Sequence, residues 1–280
     1  MNTKAFRHLW GYPIVFDDTF RQIRDDGYVG IETGLLGIQR PEVFQEALRR
    51  YGLEFIGQVY TAEFSKGHSV GEHLASLECE IEKLLPLGPV LINVHSGEDT
   101  WSLDEMHEYF GGVAKLQARL AVPLAHETHR GRCLFHPTVS RLLLEAHPEV
   151  RLVADLSHWV CVCERLLEDQ QAAIALAAER TVHVHARMGY SQGPQVSDPR
   201  SDLVAAERTV FESWWHTIYE SMRRRGLPAF SFCPEYGPPP YMPVLPFTGA
   251  PVTDLACICN WQAQRIGELA REWAVSGDGK

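Results

Sequence analysis

The feature that most constrains this chain is an order that repeats eight times along its 280 residues: short apolar run, polar loop, amphipathic segment, glycine stop. That order, at roughly 30-residue spacing, is the pattern of parallel βα units. Runs such as LEFIGQVY (53–60), PVLINVHSG (89–97), VRLVA (150–154) and TVHVH (181–185) are short and rich in β-branched residues, as buried strands are. Between them lie segments with helical periodicity. In PEVFQEALRRYG (41–52), Val43, Phe44, Ala47 and Leu48 share a face, Arg49 and Arg50 suit the carboxyl end, and Gly52 stops the helix. Further helices are expected from about Ser69 to Leu85, from a capping box at Ser102 and Glu105, and, as the sixth, from roughly Cys163 to Glu179. Eight units, with no glycine-rich phosphate loop after the first strand, favour a closed (β/α)8 TIM barrel over an open doubly wound sheet. No composition break divides the chain, so one domain is expected over 1–280.

Charge and cysteine usage narrow the function. Asp and Glu outnumber Lys and Arg by 36 to 26, a net charge of −10 that repels phosphate backbones, so nucleic acid is not an expected partner. No run approaches the roughly 18 apolar residues of a membrane helix, and the amino end lacks a charged leader with an apolar core. A cytoplasmic protein without membrane contact is the expectation. Cys161/Cys163 and Cys257/Cys259 are separated by one residue, not the two usual for zinc or redox pairs, and read as buried free thiols.

The strand ends carry the chemistry. VPLAHE stops at Glu127, VRLVAD at Asp155, TVHVH at His185 and AFSFCPE at Glu235. Alternation puts His183, His185 and Arg187 on one face, Val153 with Asp155, and Asn93 with His95. Barrel interiors are normally apolar, so inward polar groups at strand ends must be paired or bound. Glu127, Asp155, His185 and Glu235 together offer three oxygens and one nitrogen. This hard set suits Mn²⁺ first, with Mg²⁺, Co²⁺ or Zn²⁺ as alternatives, and leaves positions for a bidentate substrate. Taken singly, each residue reads equally well as a cap or an ion pair: Asp155 at the start of the sixth helix, Glu127 with Arg130 or Arg132.

HETHRGR (126–132), DLSH (155–158), HVHAR (183–187) and PEYGPPPY (234–241) resemble the xylose isomerase-like barrel family across nearly the whole chain. That family includes sugar isomerases and epimerases, inosose dehydratase, hydroxypyruvate isomerase and the related endonuclease IV group, or AP endonuclease family 2. The resemblance implies a metal held by Glu127, Asp155, His185 and Glu235, with His158 reaching a substrate oxygen and Glu127 and Glu235 moving protons on opposite faces of a ketose. Removing the C–H proton between a chelated carbonyl and hydroxyl leaves a metal-stabilised enediolate, which agrees with the residues themselves. The implied activity is a divalent-metal-dependent isomerase or epimerase of a small ketose or a polyol-derived hydroxy-ketone. A dehydratase of the inosose type is the alternative, and an endonuclease is disfavoured by charge. His95 looks like one of the further ligands of the endonuclease IV-like members, which bind three zinc ions, but the third strand ends without histidine and Asp198-Pro199-Arg200 stands where those members have Asp-x-His, so a trinuclear centre is not expected.

Remaining candidates are substrate contacts. His95 ends a strand, Arg187 faces the mouth by alternation, and Arg200 suits a carboxylate, phosphate or hydroxyl pair. Trp10, Trp101 and Trp159 fall near strand-end loops, where they could wall a sugar face or simply pack. The long loop 188–200 is expected to act as a lid. A homo-oligomer is compatible with such a barrel, although no stripe specifies one.

Overall fold

The computed structural model describes residues 1–12, 16–62 and 67–277. Eight strands pair in chain order: β1 Asn2–His8, β2 Gly30–Gly34, β3 Glu54–Tyr60, β4 Leu91–His95, β5 Leu124–Glu127, β6 Leu152–Ala154, β7 Thr181–His185 and β8 Ala229–Cys233. Every neighbouring pair is parallel, and β8 returns to β1, closing the barrel. The expected (β/α)8 TIM barrel is therefore the fold, and it occupies nearly the whole chain.

Among the described residues nine α-helices wrap the sheet: α1 Phe16–Asp25, α2 Pro41–Tyr51, α3 Val70–Leu84, α4 Leu103–Gln117, α5 Pro137–Ala146, α6 Leu156–Cys163, α7 Gln171–Arg180, α8 Ala205–Arg224 and α9 Leu255–Gly277. Local chemistry sets their ends. Ser102 and Glu105 form the expected capping box on α4, and Ser69 with Glu72 forms a second on α3. Each cap of this kind stabilises its helix by about 1 kcal/mol. In α8 the buried positions Phe211, Trp214, Trp215, Ile218 and Met222 recur at helical spacing and press one stripe onto the sheet.

One boundary differs from the sequence reading. The sixth helix does not begin near Cys163. Instead β6 ends after three residues and Asp155 caps α6 at once, its Oδ1 accepting the Ser157 amide at 3.0 Å. The mostly apolar run LSHWVCVC hid the turn, because a short helix buried over most of its length carries no polar face to reveal its period. Glu164, with φ of 53°, ends α6, and α7 follows as a separate helix.

The barrel interior is layered. At its floor Phe6, Ile56, Leu91, Ala125, Val153 and Cys233 form an apolar plug. Gly30 makes that plug closable: a Cβ there would lie 2.4 Å from the Phe6 ring and 2.6 Å from the Glu54 carbonyl oxygen. Two residues further along the strands, the same inward positions become Gln58, Asn93, Glu127 and Asp155, all buried. The register Ile56↔Leu91 and Gln58↔Asn93 keeps these as successive rungs, so alternation stacks a polar layer on an apolar one.

Candidate functional site

The polar layer opens into a cavity of about 580 Å³ at the carboxyl ends of the strands. Its floor includes Gln58, His95, Glu127, Arg187 and Glu235, and its walls are Leu9, Trp10, Leu36, Tyr60, His129 and Tyr241. The four residues that sequence reasoning grouped meet here: ligand atoms of Glu127, Asp155, His185 and Glu235 all lie within 4.8 Å of one another. Glu127 and His185 are the last residues of β5 and β7, Asp155 follows β6 directly, and Glu235 lies two residues past β8.

Three carboxylates this close repel. At 4.8 Å and an effective dielectric near 20, each pair of charges costs about 3.5 kcal/mol. Arg187 is ion-paired with Asp155 through Nη2 and lies 3.8 Å from a Glu235 oxygen. Burial pushes Asp155 above its ordinary pKa despite Arg187, because Glu127 and Glu235 add their own negative charge. Burial also works against a charged His185, yet Glu235, Glu32 and Glu127 overcome it and hold the imidazole well above its usual range. The three carboxylates and Glu32 thus crowd more negative charge around His185 than the neighbouring Arg187 offsets. A divalent cation fits this deficit.

Orientation of the donors agrees. His185 Nε2 is 2.9 Å from Glu32 Oε1, which leaves Nδ1 facing Glu235 Oε2 at 3.0 Å and Glu127 Oε2 at 3.5 Å. A carboxylate behind a histidine fixes the tautomer and aims the free nitrogen at a metal. Oε1 of Glu127 has no hydrogen-bond partner, an expensive state for a buried carboxylate oxygen. Its other oxygen accepts from Asn93 Nδ2 at 2.8 Å.

Glu32 was missed by the sequence reading. It is fully buried and gathers Gln58 Nε2 at 3.2 Å, Asn93 Nδ2 at 3.2 Å, His183 Nε2 at 3.1 Å and His185 Nε2 at 2.9 Å. Burial alone would raise its pKa, but His185 and His183 depress it well below the ordinary carboxylate value. Its signal was present: a glutamate in the apolar strand of YVGIET, at an inward position. His129, Tyr60 and Tyr241 also escaped notice, since nothing local distinguishes a cavity-lining aromatic from a packing one.

The other expected contacts divide. His95 and Arg187 line the cavity, and the Arg187 guanidinium stacks over Tyr241 at 5.1 Å. His158 is buried and does not line the cavity, its Nε2 accepting from Arg187 Nη2 at 3.0 Å. Arg200 turns to its own loop, paired with Asp198 Oδ2 at 2.7 Å and bonded to Thr253 Oγ1 at 3.3 Å; it is exposed and does not line the cavity. Of the three tryptophans only Trp10 walls the cavity, because Trp159 is wholly buried with Nε1 donating to the Leu134 carbonyl and Trp101 packs on His73 and Tyr109. Loop 188–200 is stitched in place where a lid was expected: Gln195 exchanges two hydrogen bonds with the Gly237 backbone at 3.1 and 2.7 Å, and Tyr236 Oη accepts the Met188 amide.

Comparison with solved structures finds the same architecture. The probable 3-DHS dehydratase AsbF of Bacillus anthracis aligns over 94% of this chain and 98% of its own with a TM-score of 0.61 at 14% identity. The fold is that of the xylose isomerase-like TIM barrels. A D-psicose 3-epimerase crystallised with D-fructose aligns over 98% and 97% of the two chains, TM-score 0.59, at 13% identity. A xylose isomerase-like TIM barrel protein of Mycobacterium smegmatis in complex with magnesium gives 97% and 97%, TM-score 0.61, at 14%. No protein-family model and no curated protein sequence matches the chain. No described helix is long and apolar enough to cross a membrane.

Proposed function

We propose that this protein is a divalent-metal-dependent isomerase or epimerase acting on a small ketose or a related hydroxy-ketone. The observation that carries the reading is the convergence of Glu127, Asp155, His185 and Glu235, with two of the carboxylates, Glu127 and Glu235, lining the cavity. Those four residues would hold the ion, with Mn²⁺ as the expected occupant of so oxygen-rich a set. When bound, it supplies Lewis-acid stabilisation for the negative charge left on substrate oxygens as a C–H proton departs.

The chain's own residues do the rest. Glu127 and Glu235 can each take or return that proton; return by the second carboxylate inverts the carbon, and return at the neighbouring carbon isomerises. Gln58 steadies Glu235 through a 3.3 Å contact to Oε1, and Arg187 holds the Glu235 main-chain oxygen at 3.2 Å. Tyr60, Tyr241, Trp10 and Leu36 surround the cavity and limit water at the reacting carbon.

The test is incubation of Mn²⁺-loaded protein with a panel of ketoses in D₂O. Deuterium should appear at the exchanging carbon, and Glu235→Gln should slow exchange by about 10²–10⁴-fold. An absorbing enone formed instead would assign the site to a dehydratase. Glu235→Gln exchanging at the rate of the unaltered protein would remove the assignment.

A further inference from the structure

We propose that the substrate carries an aromatic ring beside its hydroxy-ketone, held in an apolar half of the cavity where a sugar would place further hydroxyls or a phosphate. The inference rests on the metal-assisted proton transfer proposed above, which occupies the other half. Barrel order makes the division. Among the described residues, Glu127, Arg187 and Glu235 line the cavity from the ends of β5, β7 and β8, whereas Leu9, Trp10, Thr33, Leu36 and Tyr60 line it from the ends of β1, β2 and β3. Neighbouring strands pair in chain order, so β1–β3 form one arc of the rim and β5–β8 the arc facing it. Both carboxylates and the guanidinium of that lining stand on the second arc.

The first arc offers little to a hydroxyl. Leu9 and Leu36 have no polar side-chain atom, and the hydroxyls of the same arc are engaged: Thr33 Oγ1 donates to the Gly34 carbonyl at 3.4 Å, and Tyr60 Oη to Gln58 Oε1 at 3.1 Å. A sugar chain pressed on the two leucines would give up water without gaining partners, at a cost in affinity. A phosphate would need a free cation, and Arg187 is already ion-paired with Asp155.

A ring, by contrast, suits these walls. The Trp10 indole meets Tyr241 edge-on, centroids 4.9 Å apart, and packs so closely on Gly237 that a Cβ there would lie 2.2 Å from it, so the wall stands before a ligand arrives. Leu36 lines the cavity yet is 86% exposed, apolar surface that an entering ring would cover. At about 580 Å³ the cavity has room for a ring beyond the chelated carbons.

The test uses the full chain loaded with Mn²⁺ in D₂O and three probes: a hydroxymethyl ketone with a phenethyl tail, hydroxyacetone as its bare counterpart, and D-fructose. Each exchange trades one C–H proton beside the carbonyl for a solvent deuteron, with no change in oxidation state, and is read by NMR. Burying a phenyl ring is worth about 10–100-fold, so kcat/KM for the phenethyl ketone should exceed that of either other probe by at least about tenfold. Leu36→Asp, a change at an exposed position that the fold tolerates, should remove most of that preference. A preference left whole in Leu36→Asp, or either other probe exchanging as fast as the phenethyl ketone, would overturn the aromatic substrate and leave the proton transfer standing. Calorimetry separates the converse failure. If no probe exchanges but the phenethyl ketone binds, and binds more weakly to Leu36→Asp, the ring site stands and the proton-transfer reading falls. A phenethyl ketone that neither exchanges nor binds overturns the proposal.

Discussion

Glu32→Gln tests whether the carboxylate behind His185 tunes the metal centre or merely fills the barrel. Glutamine keeps the shape and can keep most of the contacts. Its oxygen can sit where Oε1 accepts from His185, Gln58 and Asn93, and its amide can face His183 Nε2. His183 can accept that amide by moving its proton to Nδ1, which lies 2.7 Å from Ser231 Oγ. What is lost is the charge. A hydrogen bond to a charged partner is worth about 1.5–3 kcal/mol against about 1 for a neutral one, so the fold should lose about 1–2 kcal/mol and Tm should fall by a few degrees. His185 also loses the anion that makes Nδ1 a strong donor, and losses behind a metal ligand typically cost 10–100-fold in affinity. Calorimetric titration with Mn²⁺ should therefore show binding weakened at least about tenfold, or 1.4 kcal/mol, in a protein whose circular dichroism is unchanged. Unchanged Mn²⁺ affinity beside a lowered Tm would make Glu32 a packing residue and refute the argument.

Arg187→Leu strands the buried Asp155 carboxylate, and breaking such a pair costs about 3–5 kcal/mol; thermal unfolding should show the loss without metal and partial recovery with saturating Mn²⁺. In Gly237→Ala the new Cβ would fall 2.2 Å from the Trp10 ring, so the wall must move; a rise in KM with little change in kcat, and altered tryptophan fluorescence, are expected. Acid should weaken the protein through the buried pair His73 and Glu98, joined at 3.2 Å. Burial lowers the pKa of His73 despite Glu98, and hydrogen bonds from the Gly67 amide and His73 lower that of Glu98 against its burial. Both groups bind protons more readily when unfolded, so their contribution is complete above about pH 6.5, the unfolded histidine value, and is lost as pH falls through the lower folded values. Denaturant titrations between pH 7 and 4 should show that decline, and a shallower one in His73→Asn.

The convergence of Glu127, Asp155, His185 and Glu235 could be read from spacing because strand ends in a barrel share one rim, and that rule needs no knowledge of contacts. Glu32 could have been found the same way, as a charge inside an apolar strand. His129 could not, because its place depends on a turn of two residues. Arg200 misled because a loop arginine carries no sign of direction, and Asp198, two residues earlier, captured it. His158 is similar in kind: its spacing from Asp155 put it one helical turn away, but only packing decided that its ring would be buried against Arg187 and His129 and would not line the cavity.

By itself the sequence determined the periodic matters: eight parallel strands, the caps of the helices, and the two-residue alternation that carries polar side chains to the mouth of the barrel. Those follow from local steric rules, which act within a few residues. Tertiary structure alone decided the angular matters: which side chain stands in front of which, that Arg187 answers Asp155, that Glu32 backs His185, and that loop 188–200 is stitched down by Gln195. Such pairings join residues far apart in the chain, 153 positions for His185 and Glu32 and 177 for Gln58 and Glu235, and their geometry is set by the tilt and closure of the whole sheet.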